Sequence, residues 1–184
     1  MKAKYIAFEG TDGSGKTKQL ELLNKYLLEN KYSVLLTREF GSIHDSACVK
    51  IRDFALNSLY NIDEYAGQFM FAACSSQHNE KVIKPNLDKY DFILSDRSIE
   101  SNLAYCIAIG LFTREAAHRL FFFDSRRINP DKIVYLDTHP DVCWERVSRR
   151  SQEKFTDGGQ DRIENKGKEF QKRVYAEYQN RIKE

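Results

Sequence analysis

The sequence predicts an α/β fold, a parallel sheet with helices on both faces. Three observations carry this reading. Four short apolar runs alternate with segments of helical periodicity, the order that parallel strands and helical crossovers produce. The second and third runs end in polar residues, Thr37-Arg38-Glu39 and Asp96-Arg97, at the end of the sheet where such folds hold ligands. The first run leads into Gly10-Thr11-Asp12-Gly13-Ser14-Gly15-Lys16-Thr17, which matches G-x-x-x-x-G-K-[ST] at every fixed position.

The motif has a physical logic. A glycine-rich turn points successive backbone N–H groups at phosphate oxygens. Lys16 reaches the β- and γ-phosphates, and the Thr17 hydroxyl is a ligand for Mg²⁺. The following helix aims its positive end at the same anion. Tyr5-Ile6-Ala7-Phe8 before it reads as a buried strand. Leu20, Leu23 and Leu27 after it lie on one helix face. An ordinary glycine turn is the bland alternative, and the strand–loop–helix context disfavours it.

The remaining elements follow in order. Ser33–Thr37 reads as the second strand, and Asp45 to Leu56 as a short helix. Asp63 caps a longer helix that Pro85 is expected to stop after Lys84. On it Tyr65, Phe69, Ala72 and Ala73 fall near one face. Phe71, Ser75 and His78 form a second face, either solvent or pocket wall, and Phe71 alone reads as core. Tyr90–Ser95 is the third strand. Asp96 at its end suits a metal-facing carboxylate, with a helix cap as the alternative. Arg97 beside it suits a bidentate phosphate clamp. Asn102 and Tyr105 share a face of the next helix, which Gly110 ends. Thr113 caps a helix over 114–123, whose Leu120-Phe121-Phe122-Phe123 run reads as core. Lys132–Asp137 is the fourth strand. Pro140 opens a helix with Val142, Trp144 and Val147 on its apolar side and Arg146, Arg149 and Arg150 at its end. A polar stretch with Gly158-Gly159 reads as a lid. A last charged helix carries Ile163, Phe170, Val174 and Tyr178.

Composition removes several classes. With 41% hydrophobic and 30% charged residues in 184, the chain belongs with globular proteins and is expected to fold as one domain over 1–184. A net charge of +2 gives no global field for nucleic acid, and acidic residues are interspersed through the basic lid. The longest apolar run, Leu103 to Phe112, is too short to span a bilayer. Met1 to Lys4 leave no room for a signal peptide before the first strand, so a cytoplasmic location is expected. Cys48, Cys74, Cys106 and Cys143 are scattered and read as free thiols.

Six segments occur in a telling order: Phe8-Glu9-Gly10-x-Asp12-Gly13-x-Gly15-Lys16-Thr17, Thr37-Arg38-Glu39-x-Gly41, Phe71-Ala72-Ala73, Asp96-Arg97-Ser98, Asn102-Leu103-Ala104-Tyr105 and Asp161-Arg162-Ile163-Glu164. Together they resemble thymidylate kinases of the bacterial kind, over nearly the whole chain. The resemblance implies a P-loop NTPase three-layer sandwich and γ-phosphoryl transfer from Mg·ATP to dTMP, giving dTDP and ADP. It also implies a homodimer. By match, residues 10–17 hold ATP, with Thr17 and Asp96 toward Mg²⁺. Asp12 lies near the acceptor's sugar and phosphates, and Arg38 and Arg97 gather its 5′-phosphate. Phe71 stacks on the base and Tyr105 lies under the deoxyribose. The P-loop has Asp12-Gly13 and no arginine, so the catalytic arginine is expected from a lid over about 149–161, with Arg149 and Arg150 ahead of Arg146.

Three departures stand out. Phe40 replaces the family's usual proline. The chain stops at Glu184, where family members continue into a fifth strand, so four core strands with an exposed or covered edge are expected, or five at most. Ser75 and Cys106 stand where the family has an arginine and a glutamine that read the base. They keep a rival substrate in view, dUMP or a 5-substituted dUMP. A non-catalytic nucleotide-binding module and a nucleic-acid binder are the other rivals.

Overall fold

A computed structural model describes residues 2–123, 127–153 and 162–183. Among them the sheet has four strands: β1 (Lys4–Glu9), β2 (Val34–Arg38), β3 (Phe92–Asp96) and β4 (Lys132–Tyr135), in the order β2-β3-β1-β4. Every pairing is parallel, with Phe8 beside Asp96, Arg38 beside Asp96 and Glu9 beside Tyr135. This register brings the carboxyl ends of the strands level.

Alternation along the strands divides the core between the two faces. Phe8 and Leu94 pack on one face against Leu20 and Leu27 of α1 (Lys16–Glu29). Tyr5, Leu35 and Ile93 pack on the other against Val82, Ile83 and Leu87. A third cluster joins α2 (Ser46–Leu56) and α3 (Glu64–His78) to the helices after β3, which are α5 (Ile99–Ile109), α6 (Arg114–Phe121) and α8 (Gly167–Ile182). Asp45, Asp63, Ser98 and Thr113 cap α2, α3, α5 and α6 by accepting first-turn N–H bonds. These caps satisfy donors that the helices cannot.

Pro85 does not stop the long helix. α3 runs into a π-helical turn, Asn79–Ile83, and then into α4 (Lys84–Asn86), which contains Pro85. The wider π turn accommodates a residue with no N–H to donate. The faces of α3 are also the reverse of a simple hydrophobic stripe: Tyr65 and Phe69 are 44% and 58% exposed, whereas Phe71, Ser75 and His78 are buried. α6 ends at Phe121, so Phe121 is core while Phe123 is 66% exposed. On α7 (Pro140–Glu153), Cys143 and Val147 are buried and Val142 is exposed. α8 buries Phe170, Val174 and Tyr178 as its periodicity predicts. β4 forms one edge of the sheet, with Ile133 and Val134 exposed.

Candidate functional site: a phosphate cleft joined to an aromatic cavity

The site forms where β1, β2 and β3 end side by side. The turn after β1 can only be built with glycine at its centre. Gly13 has φ +85°, and a Cβ there would meet the Cys143 carbonyl oxygen at 2.3 Å. Gly15 caps α1 without any side-chain hydrogen bond, which leaves the first-turn N–H groups to an anion. Lys16 folds back so that Nζ donates to the carbonyls of Gly10 and Thr11, both at 2.9 Å. Burial, helped by Arg97, draws the Lys16 ammonium down to about 8 against the pull of Asp12, Asp96 and Glu9. The buried Ser14 hydroxyl has no hydrogen-bond partner.

Thr17 Oγ1 donates to Asp96 Oδ2 at 2.8 Å. One oxygen comes from the helix start and the other from the end of β3. Two adjacent hard oxygens beside a phosphate loop fit Mg²⁺, which takes few protein ligands and keeps several waters.

Arg97 has φ +75° and a guanidinium with several partners. Nη1 donates to the Gly10 carbonyl, Ser101 Oγ and Tyr178 OH, and Nη2 to Asp12 Oδ1 and Tyr105 OH. The Tyr105 hydroxyl also donates to Asp12 Oδ2 at 2.8 Å. Burial alone would raise the Asp12 carboxyl. Arg97, Lys16 and the Tyr105 bond outweigh it and hold Asp12 well below the usual carboxylate range.

Two compartments meet here. The first is a cleft of about 550 Å³ lined by Asp12, Lys16, Thr17, Arg38, Asp96 and Arg97, and by Arg146, Arg149 and Arg150 of α7. Arg146 donates to the Gly13 carbonyl at 3.1 Å, and Arg38 donates to the Gly41 carbonyl at 3.2 Å. The second is a cavity of about 130 Å³ whose walls include Phe40, Gln68, Phe71, Asn102, Tyr105 and Ile163. The rings of Phe40 and Phe71 lie 4.4 Å apart, and the Glu39–Phe40 peptide bond is cis. Asp12, Arg52 and Arg97 line both compartments.

Thymidylate kinase is the family whose model matches residues 8–184. The chain belongs to the thymidylate kinase family. Relatives agree with that membership. The chain is 35% identical over 174 residues to a thymidylate kinase of Thermosipho melanesiensis, covering 95% of this chain and 81% of the relative. Identity is 34% over 174 residues to one from Carboxydothermus hydrogenoformans, covering 95% and 81%. For one from Lactobacillus helveticus it is 32% over 177 residues, covering 95% and 80%.

Most of the expected site residues line the two compartments or belong to the loop after β1, but Ser75 and Cys106 stand apart. Ser75 is fully buried and accepts a bond from Arg127 Nη2 at 2.7 Å. Cys106 is fully buried in the helical core, and burial pushes its thiol up to about 12. Neither lines the cavity. Of the expected lid, residues 149–153 belong to α7, and 154–161, with Gly158-Gly159, lie outside the described residues. Arg162 turns away, donating to the Ala55 carbonyl and pairing with Glu64 at 3.2 Å.

Beneath the site lie groups to which sequence reasoning gave no role. Glu9, 1% exposed, accepts from Ser98 N–H, Ser98 Oγ, Ser101 Oγ and Tyr178 OH. Burial raises its carboxyl, and Arg97 and these bonds oppose the rise. Glu39 bonds His78 Nδ1 at 2.7 Å and accepts from Asn102 Nδ2 at 3.2 Å. Burial would raise Glu39, but the His78 bond prevails and holds it below its ordinary value. A glutamate closing an apolar strand, and one closing the Thr37-Arg38-Glu39 triplet, were the available signals for both.

Proposed function

We propose that this chain is an ATP-dependent kinase that transfers the γ-phosphoryl group of ATP to dTMP, giving dTDP and ADP. The observation that carries the reading is the shared wall: Asp12 and Arg97 border both the phosphate cleft and the aromatic cavity. A donor phosphate in one compartment and an acceptor phosphate beside the other then meet at a single cation.

Each residue has a role in this reading. Lys16 and the amides of residues 10–17 hold the ATP phosphates. Thr17 and Asp96 hold Mg²⁺, which neutralises phosphate charge when bound with ATP. Arg38 and Arg97 gather the dTMP 5′-phosphate, and Asp12 orients Arg97. An oxygen of that phosphate attacks the γ-phosphorus in line as the bond to the β-bridging oxygen breaks. Arg149 and Arg150 neutralise the charge that develops. Phe71 stacks on the base and Tyr105 lies against the deoxyribose. Asn102 reads the base: its Nδ2 is committed to Glu39, and its Oδ1, without a partner, is left as an acceptor for the base N–H. Residues 1–184 act as one kinase domain, with 149–161 as its lid.

The working form is a cytoplasmic homodimer. Its support is the outward apolar row on α3, Tyr65 and Phe69, with Phe54 of α2 also 46% exposed. The test of the activity is a coupled assay with ATP against dTMP, dUMP, dCMP, dGMP and 5-substituted dUMP. The highest kcat/KM is expected with dTMP. A purine monophosphate as best substrate, or no transfer to any, would overturn the reading.

A further inference from the structure

The cavity holds a buried polar side chain that the proposed function leaves without a role. Gln68 lies on α3 three residues before Phe71 and is 2% exposed. It lines the cavity with Phe71, Asn102 and Tyr105. Among the described residues its side-chain amide has no hydrogen-bond partner. The amide makes no bond to the protein yet is not fully enclosed, so what remains open to it is the cavity, and leucine would close the same wall beside Phe40, Leu56 and Ile163 without any polar group there. Yet the position carries a group with two donors and an acceptor.

The two positions where a base-reading side chain is expected do not supply one. Ser75 is occupied with Arg127, and Cys106 is packed in the helical core. Polar recognition in this cavity must come from other side chains on its wall. Asn102 is one, through an acceptor. The complementary need of a thymine base is a donor for one of its carbonyl oxygens, and the bond to Glu39 turns one of the two Asn102 Nδ2–H donors away from that task.

We infer that Gln68 is a specificity-determining residue that donates its Nε2–H to a carbonyl oxygen of the bound pyrimidine, completing a donor–acceptor pair with Asn102. This rests on the dTMP reading of the site. It explains why an amide persists on the same wall as Phe40, Phe71 and Ile163. It also accounts for base recognition without an arginine at position 75.

The test compares the parent enzyme with Gln68→Leu and Gln68→Glu on dTMP, 2-thio-dTMP and 4-thio-dTMP, and records the ligand-free Tm of each. Sulfur is a poor acceptor, so the parent should use one thio analogue less well than dTMP. Both variants should lose about tenfold in kcat/KM for dTMP, mainly through KM, the scale of one hydrogen bond. Gln68→Leu should treat that analogue and dTMP alike. Its ligand-free Tm should be unchanged or higher, because the leucine keeps the wall filled and removes an amide that bonds nothing in the protein. A residue that merely fills the wall gives another pattern: Tm falls, and all three substrates decline together or dTMP stays within twofold. That result would overturn the inference while leaving dTMP turnover by the parent intact. Absence of dTMP turnover by the parent would overturn the activity itself, and this inference with it.

Discussion

Arg97 Nη2 and Asp12 Oδ1 lie 2.5 Å apart, and each residue is also bonded to the hydroxyl of Tyr105. The guanidinium is therefore aimed before any phosphate arrives. Asp12→Asn keeps the shape and removes the charge. It should lower kcat/KM for dTMP by at least tenfold, with less effect on ATP binding. Stability at pH 7 should fall by about 1–3 kcal/mol. The pH dependence has a definite sign. The depressed Asp12 pKa contributes stability above the unfolded carboxylate value of about 4 and loses it as pH falls toward the folded value. The gap between parent and variant in denaturant melts should therefore narrow below about pH 4. A constant gap from pH 7 to pH 3 would show that the pair carries no charge coupling.

Lys16 offers a second pH signature. Its ligand-free value of about 8 lies below the ordinary lysine value of 10.5, so the folded state binds fewer protons than the unfolded chain between them. Folding stability should rise with pH across that window. ATP favours the charged ammonium, so ATP binding should take up a proton above about pH 8 and weaken as pH rises further. Calorimetry in buffers of different ionisation enthalpy measures this uptake directly. Equal proton linkage at pH 7 and pH 9 would contradict it.

The arginines of α7 divide into two groups. Arg146 already bonds the P-loop at Gly13, whereas Arg149 and Arg150 line the cleft further along the helix. Replacing Arg149 and Arg150 together by alanine should cut kcat by on the order of 10³ while ATP affinity stays within about threefold. Arg146→Ala should mainly weaken ATP binding. If the double variant retains its kcat, Arg146 becomes the cation to test. Arg162 is a poor substitute, since it is held against Glu64 and Ala55.

Much of this was legible in the chain itself. The four strands came from apolar runs, and the P-loop from fixed spacings. Asp63 and Thr113 announced their helices as caps. What periodicity could not settle was direction. Tyr65 and Phe69 lie on the same helix as Phe71, and spacing separates their faces without saying which one meets the core. The π turn before Pro85 escaped because a proline near a helix end normally stops it. Gln68 was missed although it shares a face with Phe71, Ser75 and His78, because one polar residue on a helix reads as solvated until its burial is known.

Ser75 gives a prediction that reverses the simplest engineering idea. Restoring arginine at this position should not sharpen base selectivity. The site is fully buried and already receives the Arg127 guanidinium at 2.7 Å. A second guanidinium there overpacks the core and adds like charge, at a cost of about 1–3 kcal/mol or more. Ser75→Arg should lower Tm by about 2–12 °C. Pairing it with Arg127→Ser should recover part of that loss. A stable, more dTMP-selective single variant would show that Arg127 moves aside.

The outward row on α3 predicts the assembly. Phe69→Glu, placed where the parent residue is 58% exposed, should shift the protein from dimer to monomer in sedimentation and remove the dependence of Tm on protein concentration. A parent that sediments as a monomer would remove the proposed role of this face.

The strand order has a consequence for how the protein is made. β1 is synthesised before both its neighbours, which lie far downstream: Lys4 pairs with Phe92 and Ile6 with Lys132. The Glu9 carboxylate beneath the P-loop waits longer still, for a tyrosine 169 residues further on. Contacts at such separations close late and slowly. A ribosome-bound chain carrying the complete glycine motif therefore has no finished phosphate site. Nucleotide should be captured only once α8 has been made, and arrested chains lacking α8 should not be retained on an immobilised ATP analogue.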